Sequence, residues 1–233
     1  YSKEGIMPYY ARKHQLQRSL IYHAYNRSNA RIKVFHSDKD YGYFLSLLKE
    51  YNYRFEVKLY HWAVMPNHYH LLLELAKPEH ISKYMAGLNR AYTCYYHRSY
   101  FTAGFLWQGR FKLQPVQQER YLIACARYIE RNPVRAKITT KAEEYPYSSA
   151  HFYCHHKTDG ITTEDPAYLE FSKDTAGRQE TYRNFLSNFN EEEERLFENL
   201  EQPQGNREFI NRLIKQNGRY RAKRRGRPRE RIV

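Results

Sequence analysis

Two runs rich in strand-forming residues, Arg54 to Val64 and Tyr69 to Leu75, are separated only by Met65-Pro66-Asn67. That short turn, with its proline where no ladder hydrogen bond is needed, predicts a β-hairpin. The rest of the pattern has to fit around it. Ser19 to Tyr25 alternates as a first strand and meets a polar break at Asn26-Arg27-Ser28-Asn29. Asp38 to Tyr51, with Asp38 as N-cap, carries Tyr41, Phe44, Leu45 and Leu48 at helical spacing. A second helix is expected from about Ile81 to Tyr96, a fourth strand from Phe111 to Gln117, and a third helix from Glu119 to Asn132, stopped by Pro133. The order β-α-β-β-α-β, then α, is that of the ferredoxin-like split unit, an α+β fold with helices packed on one face of an antiparallel sheet. The other face is left for a substrate or the additional helix.

This unit accounts for residues 1–150. Residues 151–218 read as a helical C-terminal region, with a connector from Cys154 to Thr175 and helices at Glu180 to Leu200 and Asn206 to Lys215. Residues 219–233 form a basic tail: Arg219 to Arg231 holds eight basic residues and one acidic residue, about half of the chain's net charge of +14. An excess of that size favours a polyanionic partner, and nucleic acid leads that class. The 24 tyrosines, interleaved with Lys and Arg, suit stacking on unpaired bases, although packing explains many of them equally well. No apolar run approaches the ~18 residues of a membrane span, and Tyr1 to Arg12 lacks a signal-like stretch, so the cytoplasm or nucleoid is the expected location. Cys94, Cys125 and Cys154 lack CxxC spacing and read as ordinary packed thiols.

His68 and His70 stand two apart on a strand, so both imidazoles project from one face and can share a cation. The spacing alone also fits core histidines satisfied by backbone carbonyls. Glu74, four residues beyond His70 on the same face, is a reserve ligand or a solvated strand end.

Three segments in order, Met65 to Leu75, Trp107 to Lys112 and Tyr128 to Ala136, resemble the IS200-like single-tyrosine ("Y1", HUH-type) transposases. Within that family the chain is similar to the group associated with repetitive extragenic palindromes (REP elements). The likeness spans about Ser19 to Ser149. It implies a single-stranded DNA endonuclease and strand transferase that works on hairpin palindromic repeats through a 5′-phosphotyrosine. By the resemblance, Tyr128 is the nucleophile, with Tyr121 its one competitor, and His68, His70 and Asn132 hold Mg²⁺ or Mn²⁺. Four residues apart, Tyr128 and Asn132 share one helix face, but Pro133 is expected to bias Asn132 away from helical angles. The resemblance further implies DNA contacts at Asn26, Arg27, Arg110 and Lys112. Family relatives pair as dimers, whereas the longer C-terminal region here points to a monomer. Arg225-Gly226-Arg227-Pro228 resembles an AT-hook core, with Arg225 and Arg227 in a narrow minor groove, or else is a generic basic tail. The alternatives are a domesticated DNA-binding protein without catalysis and a relaxase or replication-initiator nuclease.

Overall fold

A computed structural model describes residues 16–118, 120–198 and 203–217. Strands β1 (Ile21–Arg27), β2 (Val57–Met65), β3 (His68–Leu75) and β4 (Lys112–Val116) form one antiparallel sheet in the order β2-β3-β1-β4. Helix α1 (Asp38–Phe55) links β1 to β2, and α2 (Ile81–Tyr100) links β3 to β4. The ferredoxin-like unit is therefore present, with the expected order of elements. Its first strand runs further than the sequence suggested: Asn26 and Arg27 pair with Tyr69 and His68 instead of forming a break. Helix α1 also runs past Tyr51, as far as Phe55, and ends where Glu56 turns left-handed (φ 53°). Its N-cap is Ser37 and not Asp38, because Asp40 closes a capping box with Ser37.

Period-two alternation sorts the sheet into two faces. Tyr22, Ala24, Trp62, Val64, Tyr69, Leu71 and Leu73 point toward α1 and α2 and form the main core with Phe44, Leu48, Met85 and Leu88. Ile21, Ala63, Leu72 and Val116 point the other way, against α3 (Arg120–Glu130). Leu122, Cys125, Ala126 and Ile129 make the apolar stripe of α3, and Ile129 is fully buried. Truncating such a side chain costs about 2–5 kcal/mol. Burial of this stripe therefore fixes where the polar face of α3 points. Pro133 does not end the helical path. After a single turn residue the chain re-enters helix as α4 (Asn132–Arg135), with the Asn132 carbonyl accepting from Ala136 N–H at 2.9 Å. Proline is tolerated there because it sits in the first turn, where no backbone donor is needed.

The connector and the long acidic helix expected from the sequence are broken up into α5 (Ala150–His155), α6 (Pro166–Leu169), α7 (Thr175–Ser187) and α8 (Glu191–Arg195). Asn190 caps α8 and interrupts the helix that the periodicity suggested. Residues in and around α7 and α8 hold the stretch from α3 through α4, largely by charge. Arg127 donates to Asn188 O at 2.6 Å and pairs with Glu193, Arg131 donates to Glu194 at 2.8 Å, and Arg135 pairs with Glu198 at 2.5 Å. Beneath them Glu130 accepts from Ser149 Oγ (2.5 Å) and Tyr182 Oη (2.8 Å) and meets His61 Nδ1 at 2.9 Å. Glu130 is wholly buried, so these partners offset the cost of removing its charge from water. Finally, Gln204 bridges to Val116 on the outer edge of β4, and α9 (Arg207–Asn217) sends Phe209 and Leu213 into the main core. The edge strand is thereby covered. Among the described residues no helix is long and apolar enough to cross a membrane. Cys125 and Cys154 are buried, whereas Cys94 is exposed.

Candidate active site

The second sheet face carries polar groups at one end. Tyr25 pairs with His70 across β1 and β3, Arg27 pairs with His68, and Tyr25 pairs with Lys112 across β1 and β4. The alternation that sends Leu71 into the core thus turns both histidines of β3 toward α3. Their rings stand 5.2 Å apart and almost perpendicular. The polar face of α3 brings Tyr128 down onto them, its ring 5.6 Å from His70 and 5.9 Å from His23, edge to face in both cases. A cleft of about 630 Å³ opens here. Four of its lining residues are cationic (Arg27, Arg110, Lys112 and Arg135) and one, Glu198, is acidic. Such a balance favours a polyanion.

Burial sets the protonation states. It lowers the His68 pKa to about 4, against an opposing hydrogen bond to Asn132. Burial also holds His70 well below its ordinary value, helped by His23, His68 and Arg135. Both rings are neutral near pH 7, and a neutral imidazole has a lone pair to give a metal. Asn132 spends its Nδ2 on the Tyr128 carbonyl at 3.0 Å, which leaves Oδ1 as the acceptor that meets His68. Two neutral imidazoles and one amide oxygen fit an octahedral hard cation that keeps places for water and substrate oxygens. Among the described residues no three His, Cys, Asp or Glu side chains gather as a complete metal cage.

Tyr128 is buried, and that pushes its phenol up to about 12, while the Arg135 charge beside it pulls the other way. The Arg135 guanidinium lies over the phenol ring, 4.9 Å from its centroid. Arg27 is held at the cleft mouth by Gln108, whose Oε1 accepts from Nε at 3.1 Å and from Nη2 at 2.8 Å. Gly109, in the left-handed region at φ 77°, turns the chain between Gln108 and Arg110 so that both line the cleft.

The sequence-derived set therefore converges, with distinctions. His68, His70, Tyr128, Asn132, Arg27, Arg110 and Lys112 all border one cleft. Asn26 borders it too, but it is buried and accepts from Arg27 N–H at 3.0 Å, which makes its backbone-fixing part plain. Glu74 is elsewhere: it accepts from Tyr60 Oη at 2.7 Å near Lys58 and does not line the cleft. Tyr121 packs at the margin of the α3 core, also away from the cleft. Arg225 and Arg227 lie outside the described residues. Sequence reading passed over His23, Gln114, Gln108 and Arg135. For His23 the alternation of β1 held a signal, since it shares a face with Tyr25; Arg135 needed the α4 turn to be known.

Residues 16–132, half of the chain, match the family model described as "Transposase IS200 like". Among solved structures the chain is similar to a REP-associated tyrosine transposase bound to a REP hairpin, with 16% identity and a TM-score of 0.52, covering 68% of this chain and 93% of that one. A candidate transposase from Deinococcus radiodurans R1 is 22% identical, with a TM-score of 0.36 over 59% of this chain and 92% of the other. No curated protein matches.

Proposed function

Because the chain belongs to the family of IS200-like transposases, we propose that it cuts and rejoins single-stranded DNA at hairpin palindromic repeats through a 5′-phosphotyrosine on Tyr128. The observation that carries this reading is the seating of Tyr128 against His70, at 5.6 Å, in a cleft with four cationic residues. A hairpin as substrate is supported by the REP hairpin held in one similar structure. His68, His70 and Asn132 would hold the divalent ion, Mg²⁺ or Mn²⁺, which when bound would supply Lewis-acid stabilisation of charge on the phosphate oxygens.

Every other step belongs to the chain. Arg27, Arg110 and Lys112 draw the DNA backbone to the cleft mouth and orient it, giving affinity without reading sequence. Tyr128 Oη attacks the phosphorus and loses its proton to solvent, while the 3′ oxygen of the preceding nucleotide departs and takes up a proton as a free 3′-OH. Arg135, stacked on the ring, stabilises negative charge as it builds on the phenol oxygen. The new phosphotyrosyl ester keeps the energy of the broken phosphodiester, so a 3′-OH attacking in reverse restores DNA and frees Tyr128. One chain contains the whole site and works as a monomer, a reading supported by the charge contacts that tie α3 to α7 and α8 of the same chain. Arg225 and Arg227 add salt-sensitive affinity for duplex DNA.

The test uses the full chain and a labelled hairpin with a single-stranded foot. With Mn²⁺ a denaturant-stable protein–DNA adduct is expected; with EDTA, or with Tyr128→Phe, none. Tyr128→Phe should still bind the hairpin. Binding without an adduct on any hairpin offered would shift the chain to the domesticated DNA-binding class.

A further inference from the structure

β1 runs between β3 and β4, and its register sets His23 opposite Leu72 on one side and Gln114 on the other. The His23 ring therefore lies on the site face, behind His70, and is fully buried. Its Nε2 is 2.8 Å from His70 Nδ1, and its Nδ1 is 3.3 Å from Gln114 Oε1. The two rings meet edge to edge, centroids 5.0 Å apart and planes 28° apart, as a hydrogen bond along the ring planes requires.

We propose that Gln114 and His23 form a hydrogen-bond relay that fixes the His70 proton on Nδ1, so that Nε2 faces the cleft as a bare lone pair. The direction follows from the ends of the chain of bonds. An amide oxygen can only accept, so His23 Nδ1 carries the proton and donates to Gln114. A neutral His23 then has no proton on Nε2 and must accept, and the donor is His70 Nδ1–H. With its single proton used there, His70 Nε2 has none. Were the Gln114 amide turned over, every bond would reverse and an N–H would point into the cleft, where no cation could be bound. His23 and Gln114 are thus positioning residues, acting through His70.

Histidines that hold metals generally donate their second N–H to a carboxylate or a carbonyl. Here the acceptor is a neutral ring backed by a neutral amide. His70 is oriented without placing a negative charge beside the phosphate, so the cleft keeps its cationic excess.

This inference rests on the reading of His70 as a metal ligand, and two readouts on the full chain separate them. The first is long-range proton–nitrogen NMR of histidine-labelled, metal-free protein, with the His70 signals assigned by loss in His70→Gln. It is expected to show His70 pyrrole-like at Nδ1 and pyridine-like at Nε2. The second is Mn²⁺ affinity by electron paramagnetic resonance. His23→Leu is expected to weaken it about 10- to 100-fold, and His23→Gln, whose Oε1 can still accept from His70, to restore most of it. If His23→Leu does not fold, Gln114→Leu tests the same relay one step away and should also shift the His70 tautomer. A proton on His70 Nε2 in the wild type, or Mn²⁺ affinity unchanged in a folded His23→Leu, overturns the relay. A wild type with the expected tautomer that binds no Mn²⁺ upholds the relay and removes the metal reading instead.

Discussion

Arg135 lies over the ring of Tyr128, its guanidinium carbon 4.9 Å from the centroid, and reaches there because the helical path continues through Asn132-Pro133. Burial works against ionising the phenol, and the Arg135 charge opposes that effect. Arg135→Ala should therefore move the pH profile of adduct formation upward. It should also slow the reaction at neutral pH, because each unit by which the phenol's pKa rises cuts the phenolate about tenfold. Arg135→Lys, with charge but no planar face to stack, should fall between. Single-turnover rates across pH 6 to 10 check this. Superimposable profiles for wild type and Arg135→Ala would remove Arg135 from the chemistry.

Stability should peak in slightly acidic solution. Burial alone would lower the His61 pKa, but the Glu130 charge and the hydrogen bonds to Asp165 and Glu130 raise it to about 9. A folded-state pKa raised above the unfolded ~6.5 contributes stability that is complete below pH ~6.5 and is lost as pH rises through about 9, on the order of 3 kcal/mol. His23 and His68 act in the opposite sense. Burial lowers each to about 4, so their contribution is present above pH ~6.5 and lost as pH falls through about 4. Thermal unfolding in EDTA should show Tm falling on both sides of that maximum. His61→Gln should lower Tm and flatten the alkaline limb. A wild-type Tm that rises steadily from pH 6.5 to 9 would contradict the assignment.

A site complete within one chain predicts failed complementation. Tyr128 and His70 meet in the same chain, and Arg131, three residues after Tyr128, is tied to Leu186 O at 2.7 Å and Glu194 at 2.8 Å. A mixture of His70→Ala and Tyr128→Phe proteins should then form no more adduct than either alone. Recovery of about a quarter or more of wild-type activity, as exchange of tyrosine helices between two chains would give, would rule out the monomer reading.

Breaking the Arg131–Glu194 pair should be costly. Both side chains are buried, and removing one partner of a buried pair costs about 3–5 kcal/mol because the other charge is left uncompensated. Part of that is moderated by Arg135, 3.5 Å from Glu194. Arg131→Met should accordingly shift the urea midpoint downward. Loosening α3 should also cost adduct yield before global unfolding begins, which a comparison of the two midpoints would reveal.

That His68 and His70 share one face was legible in the sequence because strand period is local; Tyr128, one of 24 tyrosines, was singled out only by the resemblance of the Tyr128 to Ala136 run to the transposase motif. The hairpin was legible because Pro66 leaves few alternatives. What could not be read depended on partners distant in the chain. His23 gains its place only once β1 lies between β3 and β4, and His61 only once Glu130 and Asp165 converge on it from two helical segments. Asn26 and Arg27 looked like a break because polar residues suggest turns, yet their backbone pairs with β3; the Arg27 side chain lines the cleft, whereas the Asn26 amide is buried and meets Tyr69. Proline after Asn132 misled for a related reason: its missing donor is harmless at a helix start.

The most direct measurement concerns the atom that attacks. Adduct formed by the full chain on a hairpin with Mn²⁺, digested with trypsin and trimmed with nuclease, should yield a nucleotide-bearing peptide from Tyr128 to Arg131, modified on Tyr128. The same mass appearing on the peptide from Tyr121 to Arg127, or on any other tyrosine with Tyr128 unmodified, would contradict the account at its centre.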